Sequence, residues 1–271
     1  MLPDENGVLP SPANRGFIYS LGGYDVTVRF TPVSGLIDIN AAPEGLLFLL
    51  FSSIDDLDEN AAHELALNVV EWRSANPLGE GGESMEVQSG QRAVSVSGGG
   101  GGSWTSIYQP GGANLSHGRF KTVEDLLQVP GIERQVFEAV QDAVYVSPAG
   151  QSGVDWASAP VPVLRALGGL DEAAAREIAQ SRVNDKDNMD GQVAPEGIDL
   201  SFQQASPLSS YRIDARVELD GSVFNRRRWV DRARTGADGL PWLFVRSEAV
   251  RVIPETGGVG VIAGEGADAG S

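Results

Sequence analysis

The chain has 271 residues, no cysteine and a formal net charge of −17. The absence of cysteine excludes disulfides, thiolate zinc sites and cysteine nucleophiles, and the negative charge argues against binding to nucleic acid or to an anionic membrane surface. Hydrophobic residues make up 41% of the chain, enough for a sizeable core, whereas the longest strongly apolar run, residues 46–51, is far shorter than the ~20 residues that a membrane-spanning helix needs.

Acidic residues are concentrated in the middle of the chain. Residues 41–204 hold 24 acidic and 9 basic side chains, a net charge of −15, whereas the remaining residues hold 13 acidic and 11 basic side chains, a net charge of −2. Two regions of different electrostatic character are therefore joined in one chain. The acidic region is either a solvated face or a surface that binds cations or a basic partner.

Period-two alternation predicts β-strands near both ends of the chain. Near the N-terminus it predicts a hairpin with strands at 24–30 and 36–39. Near the C-terminus, Asp220-Gly221 is a strong hairpin-turn signal. The C-terminal strands are predicted at 211–219, 223–232 and 242–252.

The same short phrase occurs twice between these strands. Ile37–Pro43 opens the first copy and Val154–Pro160 opens the second, at a constant offset of 117 positions. Each copy continues through an apolar helix, an acidic break and a second helix that ends in arginine, Arg73 or Arg182. The repeat predicts a duplicated helix–turn–helix module. Equivalent buried positions are predicted for two leucine pairs, Leu47 with Leu164 and Leu50 with Leu167.

A further helical phrase lies between the two copies. Leu126–Ile132 resembles the hairpin of helix-hairpin-helix modules, and Thr122 is placed to cap the helix before it. DNA-binding members of that superfamily present a glycine-rich hairpin to phosphate, supported by lysines. Here Glu133 follows the hairpin, and the chain has only two lysines, Lys121 and Lys186. Affinity for the DNA backbone depends on phosphate neutralisation, which these residues do not provide. DNA binding is therefore kept as the alternative function and not as the main one.

An acidic loop at 184–191 resembles a calcium-binding loop. Glu196 follows Asp185 by eleven positions, the spacing of the bidentate ligand in an EF-hand, although Gly191 is one position late. A carboxylate-rich loop either binds a hard cation or is solvated. The candidate Ca²⁺ ligands are Asp185, Asp187, Asp190 and Glu196.

No sequence motif indicates catalysis. The two histidines, His63 in a predicted helix and His117 in a predicted loop, lie outside any recognisable motif. The chain has no Gly-x-Ser-x-Gly sequence, phosphate-binding loop or zinc motif. We expect a protein without enzymatic activity. A secreted hydrolase with its acidic residues in the helical region is a further alternative, and the lack of a nucleophile or base motif counts against it.

The order strands, helices, strands predicts an α+β fold. An antiparallel sheet formed by strands from both ends of the chain should carry a large inserted all-α domain with duplicated helix-hairpin-helix-like units. The glycine tract at 98–102 predicts a flexible surface excursion within 74–118. The predicted domains are 1–40 and 205–253 for the sheet, 41–204 for the insert and 254–271 for a disordered tail.

Four segments resemble, in order, the K-type minor pseudopilins of the bacterial type II secretion system (general secretion pathway protein K, GspK). They are SGLIDINAAPEGLL, VVEWR, GRFKTVEDLLQVPGI and SGVDWASAPVPVLRALGGLDEAAAREIAQSR. The resemblance implies a pilin-type sheet with a large helical insertion. It also implies a non-enzymatic subunit at the tip of the pseudopilus, which acts in the export of folded proteins and contacts I-type and J-type minor pseudopilins.

The resemblance further implies a location. Members of the family have a prepilin signal and an apolar membrane-spanning helix before the sheet, so we expect this chain to be the periplasmic part of a longer protein anchored in the inner membrane of a Gram-negative bacterium. Some members bind calcium. The acidic run that usually follows Trp72-Arg73 in the family is replaced here by Ser74-Ala75-Asn76-Pro77, so a family calcium site is not expected there.

Overall fold

The computed structural model describes residues 16–74, 118–147, 150–184, 194–205, 209–234 and 242–253. The predicted C-terminal tail at 254–271 and the glycine tract at 98–102 lie outside these residues. So does most of the predicted surface excursion at 74–118.

A six-stranded antiparallel sheet forms one layer of the molecule. Its strands are β1 (Gly16–Leu21), β2 (Tyr24–Pro32), β5 (Ser210–Leu219), β6 (Ser222–Asp231), β7 (Leu243–Ser247) and β8 (Arg251–Ile253). The strand order is β1-β2-β5-β6, and both β7 and β8 pair with the far side of β6. Strands from both ends of the chain therefore share one sheet, as the α+β prediction requires.

Two tight turns close the hairpins of this sheet. Asp220 and Gly221 join β5 to β6 with φ of 51° and 73°, so the predicted hairpin turn is confirmed. Gly22 and Gly23 join β1 to β2 with φ of 61° and 87°. Positive φ at both central residues matches the right-handed twist of the flanking strands, and glycine adopts it without steric cost.

The predicted N-terminal hairpin between 24–30 and 36–39 is wrong. The hairpin partner of β2 is β1, and a 3₁₀ turn at Val33–Gly35 then carries the chain out of the sheet. The short strand β3 (Ile37–Asp38) pairs in parallel with β4 (Val144–Tyr145) in a separate two-stranded sheet. Because Ile37 and Asp38 are both fully buried, their alternation does not mark a strand with one solvated face.

The single strand predicted at 242–252 is also wrong, because two short strands, β7 and β8, occupy this range. The register between β6 and β7 shifts at Trp229/Val230. Residues 248–250 then separate the two strands. Glu248, the first residue of this break, still contacts the sheet, because its backbone N–H donates to the Arg227 carbonyl at 2.9 Å.

The middle of the chain is helical. The helices are α1 (Glu44–Ser52), α2 (Glu59–Ser74), α3 (Arg134–Val140), α4 (Val161–Gly168) and α5 (Glu172–Asn184). The helix predicted after Thr122 is a short 3₁₀ helix, Val123–Gln128. The Asp125 carboxylate caps its start by accepting the Thr122 N–H at 2.9 Å. Pro130 helps to end it, because the residue before a proline avoids the α-helical conformation.

Both helical repeats contribute to one hydrophobic core. Leu47 and Leu164 are fully buried, and Leu50 and Leu167 are 2% and 3% exposed. The predicted burial of both leucine pairs is therefore confirmed. A small second cluster joins this helical insert to the sheet, where the Tyr145 ring stacks on Trp229 with centroids 6.2 Å apart.

Candidate interaction surfaces

In each helical repeat, an arginine of the second helix binds the short phrase that opens the same repeat. Arg73 donates to the carbonyls of Ile39 and Ala42 at 2.8 and 2.6 Å. Arg182, which is 8% exposed, makes the same pair of bonds in the second copy. Burial lowers the pKa of Arg182 to about 10. Its acceptors, Trp156 and Ala159, stand at the offset of 117 from those of Arg73.

The aspartate of each repeated phrase also has an equivalent role. Asp38 Oδ1 accepts the Asn40 N–H at 3.0 Å, and Asp155 Oδ1 accepts the Ala157 N–H at 3.2 Å. Asp38 additionally accepts the Gln151 N–H at 3.0 Å, which ties the first copy to the segment just before the second. Burial raises the pKa of Asp38, and these N–H donors partly offset that effect. Both aspartates therefore have structural partners.

The hairpins of the two repeats lie beside each other and are acidic. Asp55 of the first hairpin and Asp171 and Glu172 of the second line one shallow cleft. Arg165 bridges the hairpins, with its Nη2 2.9 Å from Asp55 Oδ1. The carboxylates of Asp58 and Asp171 cap the starts of α2 and α5 by accepting backbone N–H groups at 2.9 and 2.8 Å. At the start of each of these helices, a carboxylate of the chain itself therefore accepts an N-terminal backbone N–H group that could otherwise bind an anion.

The third hairpin, Val129–Ile132, is held against α2. Gly131 has φ of 83°, and the Pro130 carbonyl accepts from Asn68 Nδ2 at 3.0 Å. A Cβ atom on Gly131 would lie 2.8 Å from Leu65 Cδ2. The exposed Glu133 follows directly, so a phosphate would meet a negative charge here as well.

A buried ion-pair network joins the sheet to the helical insert. Asp214 of β5 accepts from Arg212 Nε at 2.9 Å and from Arg227 Nε at 2.7 Å, and the side chains of all three residues are at most 5% exposed. Arg227 also pairs with the Asp142 carboxylate at 2.5 Å, and Arg212 donates to the Asp142 carbonyl at 2.7 Å. Both arginines thereby connect the sheet to the segment after α3.

The arginines of this network determine the ionisation of its carboxylates. Burial alone would raise the pKa of Asp214, but Arg212 and Arg227 together lower it below its ordinary value. The pKa of Asp142 is lowered in the same way against a burial effect, chiefly by Arg227 and Arg212. The network is therefore charged at neutral pH.

Alternation along β6 places its basic residues on two faces of the sheet. Arg227 and Trp229 are buried toward the insert, whereas Arg226 is exposed on the other face. The sequence does not identify Arg227 as part of a buried network. Alternation puts Arg212 and Asp214 on one face of β5 and assigns Arg227 to one face of β6. The sequence does not show which face of the sheet the insert covers.

The sheet face opposite the insert is largely apolar, although Arg226 and Arg228 also lie on it. One row of paired residues crosses five strands, as the register of each strand pair shows. The row consists of Tyr19, Val26, Val217, Phe224 and Val252. Its outer members Tyr19 and Val252 are 43% and 62% exposed. Apolar side chains that line one exposed face of a sheet are typical of an interaction surface.

Of the four predicted calcium ligands, Glu196 alone lies among the described residues. Glu196 is exposed, and Asp185, Asp187 and Asp190 lie outside the described residues. Within the described ranges, no group of three or more histidine or carboxylate side chains is placed to hold a metal ion. The calcium site thus stays a prediction. His63 is at the surface, with Nδ1 3.7 Å from Glu44 Oε1, and His117 is not described.

None of the helices in the described part of the chain is both long and apolar enough to span a bilayer. No protein-family model matches the chain, and neither does any curated protein. Among solved structures, the chain is similar to a chain of the GspK–GspI–GspJ complex from the type 2 secretion system of enterotoxigenic Escherichia coli. The TM-score is 0.48 at 11% sequence identity, and the match covers 90% of this chain and 85% of that chain.

Proposed function

We propose that this protein is a non-enzymatic structural subunit, a K-type minor pseudopilin at the tip of a type II secretion pseudopilus. The observation that carries the proposal is the apolar sheet face opposite the insert. Tyr19, Tyr24 and Val252 remain 43%, 54% and 62% exposed on this face. A sheet buries such a row only against a further layer, and the pilin resemblance supplies one, in the form of a helix or a neighbouring subunit.

The insert suits the capping role in this proposal. It covers part of the other sheet face, and Arg212 and Arg227 of the sheet hold it there through Asp142. A rigidly attached helical insert would occupy the space that another subunit needs in order to add above. Its net charge of −15 keeps this outer surface strongly solvated.

The proposal places the sheet and insert in the periplasm of a Gram-negative bacterium, with an inner-membrane anchor before the sheet. The partners are I-type and J-type minor pseudopilins, and the subunit takes part in the export of folded proteins across the outer membrane. The alternative function, DNA binding through the hairpins, is disfavoured because Asp58, Asp171 and Glu133 put negative charges at the hairpins, which repel phosphate.

Complex formation tests the proposal. The chain should form a stable ternary complex with the soluble parts of I-type and J-type minor pseudopilins, measured by size-exclusion chromatography with light scattering. Tyr19→Asp places a charge on the apolar face and should weaken this complex. Gln135→Asp, a matched change at an exposed position of α3, should leave it intact. Failure of the wild-type chain to join either partner would refute the tip assignment.

Calcium binding by Asp185, Asp187, Asp190 and Glu196 is part of the proposal. It is supported by the number of hard oxygen ligands in one short stretch and by their mutual repulsion without an ion. Calcium should raise the melting temperature of the wild type, since a ligand of the folded state stabilises that state. Calorimetry and melting with and without chelator, on wild type and Asp187→Ala, test this. Equal stabilisation of both proteins would place the ion elsewhere.

A further inference from the structure

Strand β1 forms an open edge of the sheet within the described part of the chain. It pairs with β2 on one side, and no described strand pairs with its other side. Leu21 and Tyr24 flank a two-residue loop, so they exchange both backbone hydrogen bonds, and every second pair does the same. The N–H and C=O groups of Ile18 and Ser20 consequently point away from β2.

This edge lacks the features that protect sheet edges in soluble proteins. Such edges usually carry charged residues, proline or bulges, or are very short. Gly16–Leu21 has no charged residue and no proline, and its register with β2 is continuous over all six residues. Ile18, Tyr19 and Leu21 are 44%, 43% and 72% exposed.

The opposite edge of the same sheet is protected. It consists of two short strands, β7 with five residues and β8 with three. A register shift interrupts it at Trp229/Val230, and it carries Arg246 and Arg251. The two edges therefore differ in charge, strand length and regularity of register, and of the two described edges β1 is the one suited to receive another strand.

We infer that β1 binds an extended segment of a partner chain by strand addition. Two copies of a protein with a net charge of −17 repel each other, so a neutral or basic partner is favoured over self-pairing. In the added strand, the residues opposite Tyr19 and Leu21 would point to the apolar face of the sheet and extend it, while the residues between them would point to the other face. The segment therefore alternates apolar and polar residues. This inference goes beyond the secretion function and does not depend on it.

The test uses an acetylated, amidated peptide in which threonine and valine alternate between terminal lysines. Its addition should slow hydrogen exchange at the amides of Ile18 and Ser20 by about tenfold or more, which corresponds to ~1.4 kcal/mol. The Tyr19 amide, which bonds to β2, reports that the hairpin is folded and should exchange slowly throughout.

Two substitutions at one position give a matched comparison. Ile18→Pro removes an outward-pointing N–H, which proline tolerates at a sheet edge without loss of a β1–β2 bond. This variant should lose peptide binding, measured by calorimetry. Ile18→Thr shortens the same side chain but keeps the donor, and it should bind the peptide as the wild type does.

Any of the following outcomes would overturn the inference. The first is no slowing of exchange at Ile18 and Ser20, or equal binding by both variants. The second is slow exchange at these amides before peptide is added, which would place another segment of this chain on the edge. The third is a concentration-dependent dimer that Ile18→Pro abolishes, which would make a second copy the occupant.

Discussion

Asp214 is 3% exposed and lies between two buried arginines. Its replacement by Asn would leave Arg212 and Arg227 without their shared counter-charge. We predict that Asp214→Asn lowers the free energy of unfolding by about 3–5 kcal/mol, the range for breaking a buried ion pair. Urea unfolding at neutral pH measures the change. Asp142→Asn is the comparison and should cost less, because the Asp142 carboxylate pairs with one arginine side chain, whereas that of Asp214 pairs with two.

The same carboxylate makes stability depend on pH. The pKa of Asp214 is lowered in the folded protein, so the folded state takes up a proton less readily than the unfolded chain. The stabilisation is therefore present above the ordinary pKa of 3.8 and is lost as the pH falls below it. Between about pH 5 and pH 3, wild type should lose more stability than Asp214→Asn. Parallel pH profiles would contradict the assignment. Asp38, whose pKa is raised, acts in the opposite direction in both proteins.

Arg182 and Arg73 permit a comparison within one chain. Each donates to two backbone carbonyls of its repeat, but Arg182 is buried and Arg73 is partly exposed. We predict that Arg182→Met costs about 2–3 kcal/mol, since it leaves two carbonyls in a dry environment. Arg73→Met should cost less, because water replaces part of what is lost. Thermal and urea unfolding measure both, and a larger loss at Arg73 would show that burial does not set the cost.

At the scale of elements, local periodicity predicts the parts of the fold that depend on nearby residues. The repeat, the helices and the Asp220-Gly221 turn are all recoverable in this way. The path of Ile37 and Asp38 is not, because their pairing partner Val144 lies more than a hundred residues away. The split between β7 and β8 likewise depends on a register shift with β6, which the local sequence does not encode.

Gly35 sets how closely two elements approach. A Cβ atom on this residue would lie 2.1 Å from the Ser158 carbonyl oxygen, in the segment that opens the second repeat. We predict that Gly35→Ala destabilises the protein by about 2–3 kcal/mol, because a rigid backbone must shift. Gly16→Ala is the control, since its Cβ would meet only Thr27 Cγ2 at an ordinary 3.7 Å. A stability change there should stay within about 0.5 kcal/mol. Equal effects in urea unfolding would mean that the contact at Gly35 yields readily.

At the scale of the whole molecule, composition predicts charge separation but not the buried network that spans the two layers. The acidic insert and nearly neutral sheet are visible from counting residues. Arg212, Asp214 and Arg227 could be assigned to strand faces by alternation. Their burial follows only from the docking of the insert, a long-range event that no local pattern records. The predicted calcium ligands illustrate a second limit of the sequence. Their spacing identifies candidate ligands but does not show whether the side chains come together around an ion.

Charge separation also decides between the proposed function and its alternative. Asp58 and Asp171 cap the helices that follow the two repeat hairpins, and the exposed Glu133 follows the third hairpin, so each hairpin presents a negative charge to an approaching phosphate. We predict that the protein does not bind duplex DNA at physiological salt, since the insert carries a net charge of −15 and binding requires phosphate neutralisation. Fluorescence anisotropy with a labelled duplex is the measurement.

Glu133→Lys sharpens the DNA test. It supplies one cation at the third hairpin but leaves the acids of the other two in place. Because one neutralised phosphate contributes little against the remaining repulsion, this variant should also fail to bind. A micromolar, salt-sensitive affinity of the wild type would instead show that the hairpins accept phosphate despite their acids, and would favour a nucleic-acid receptor over a pseudopilus subunit.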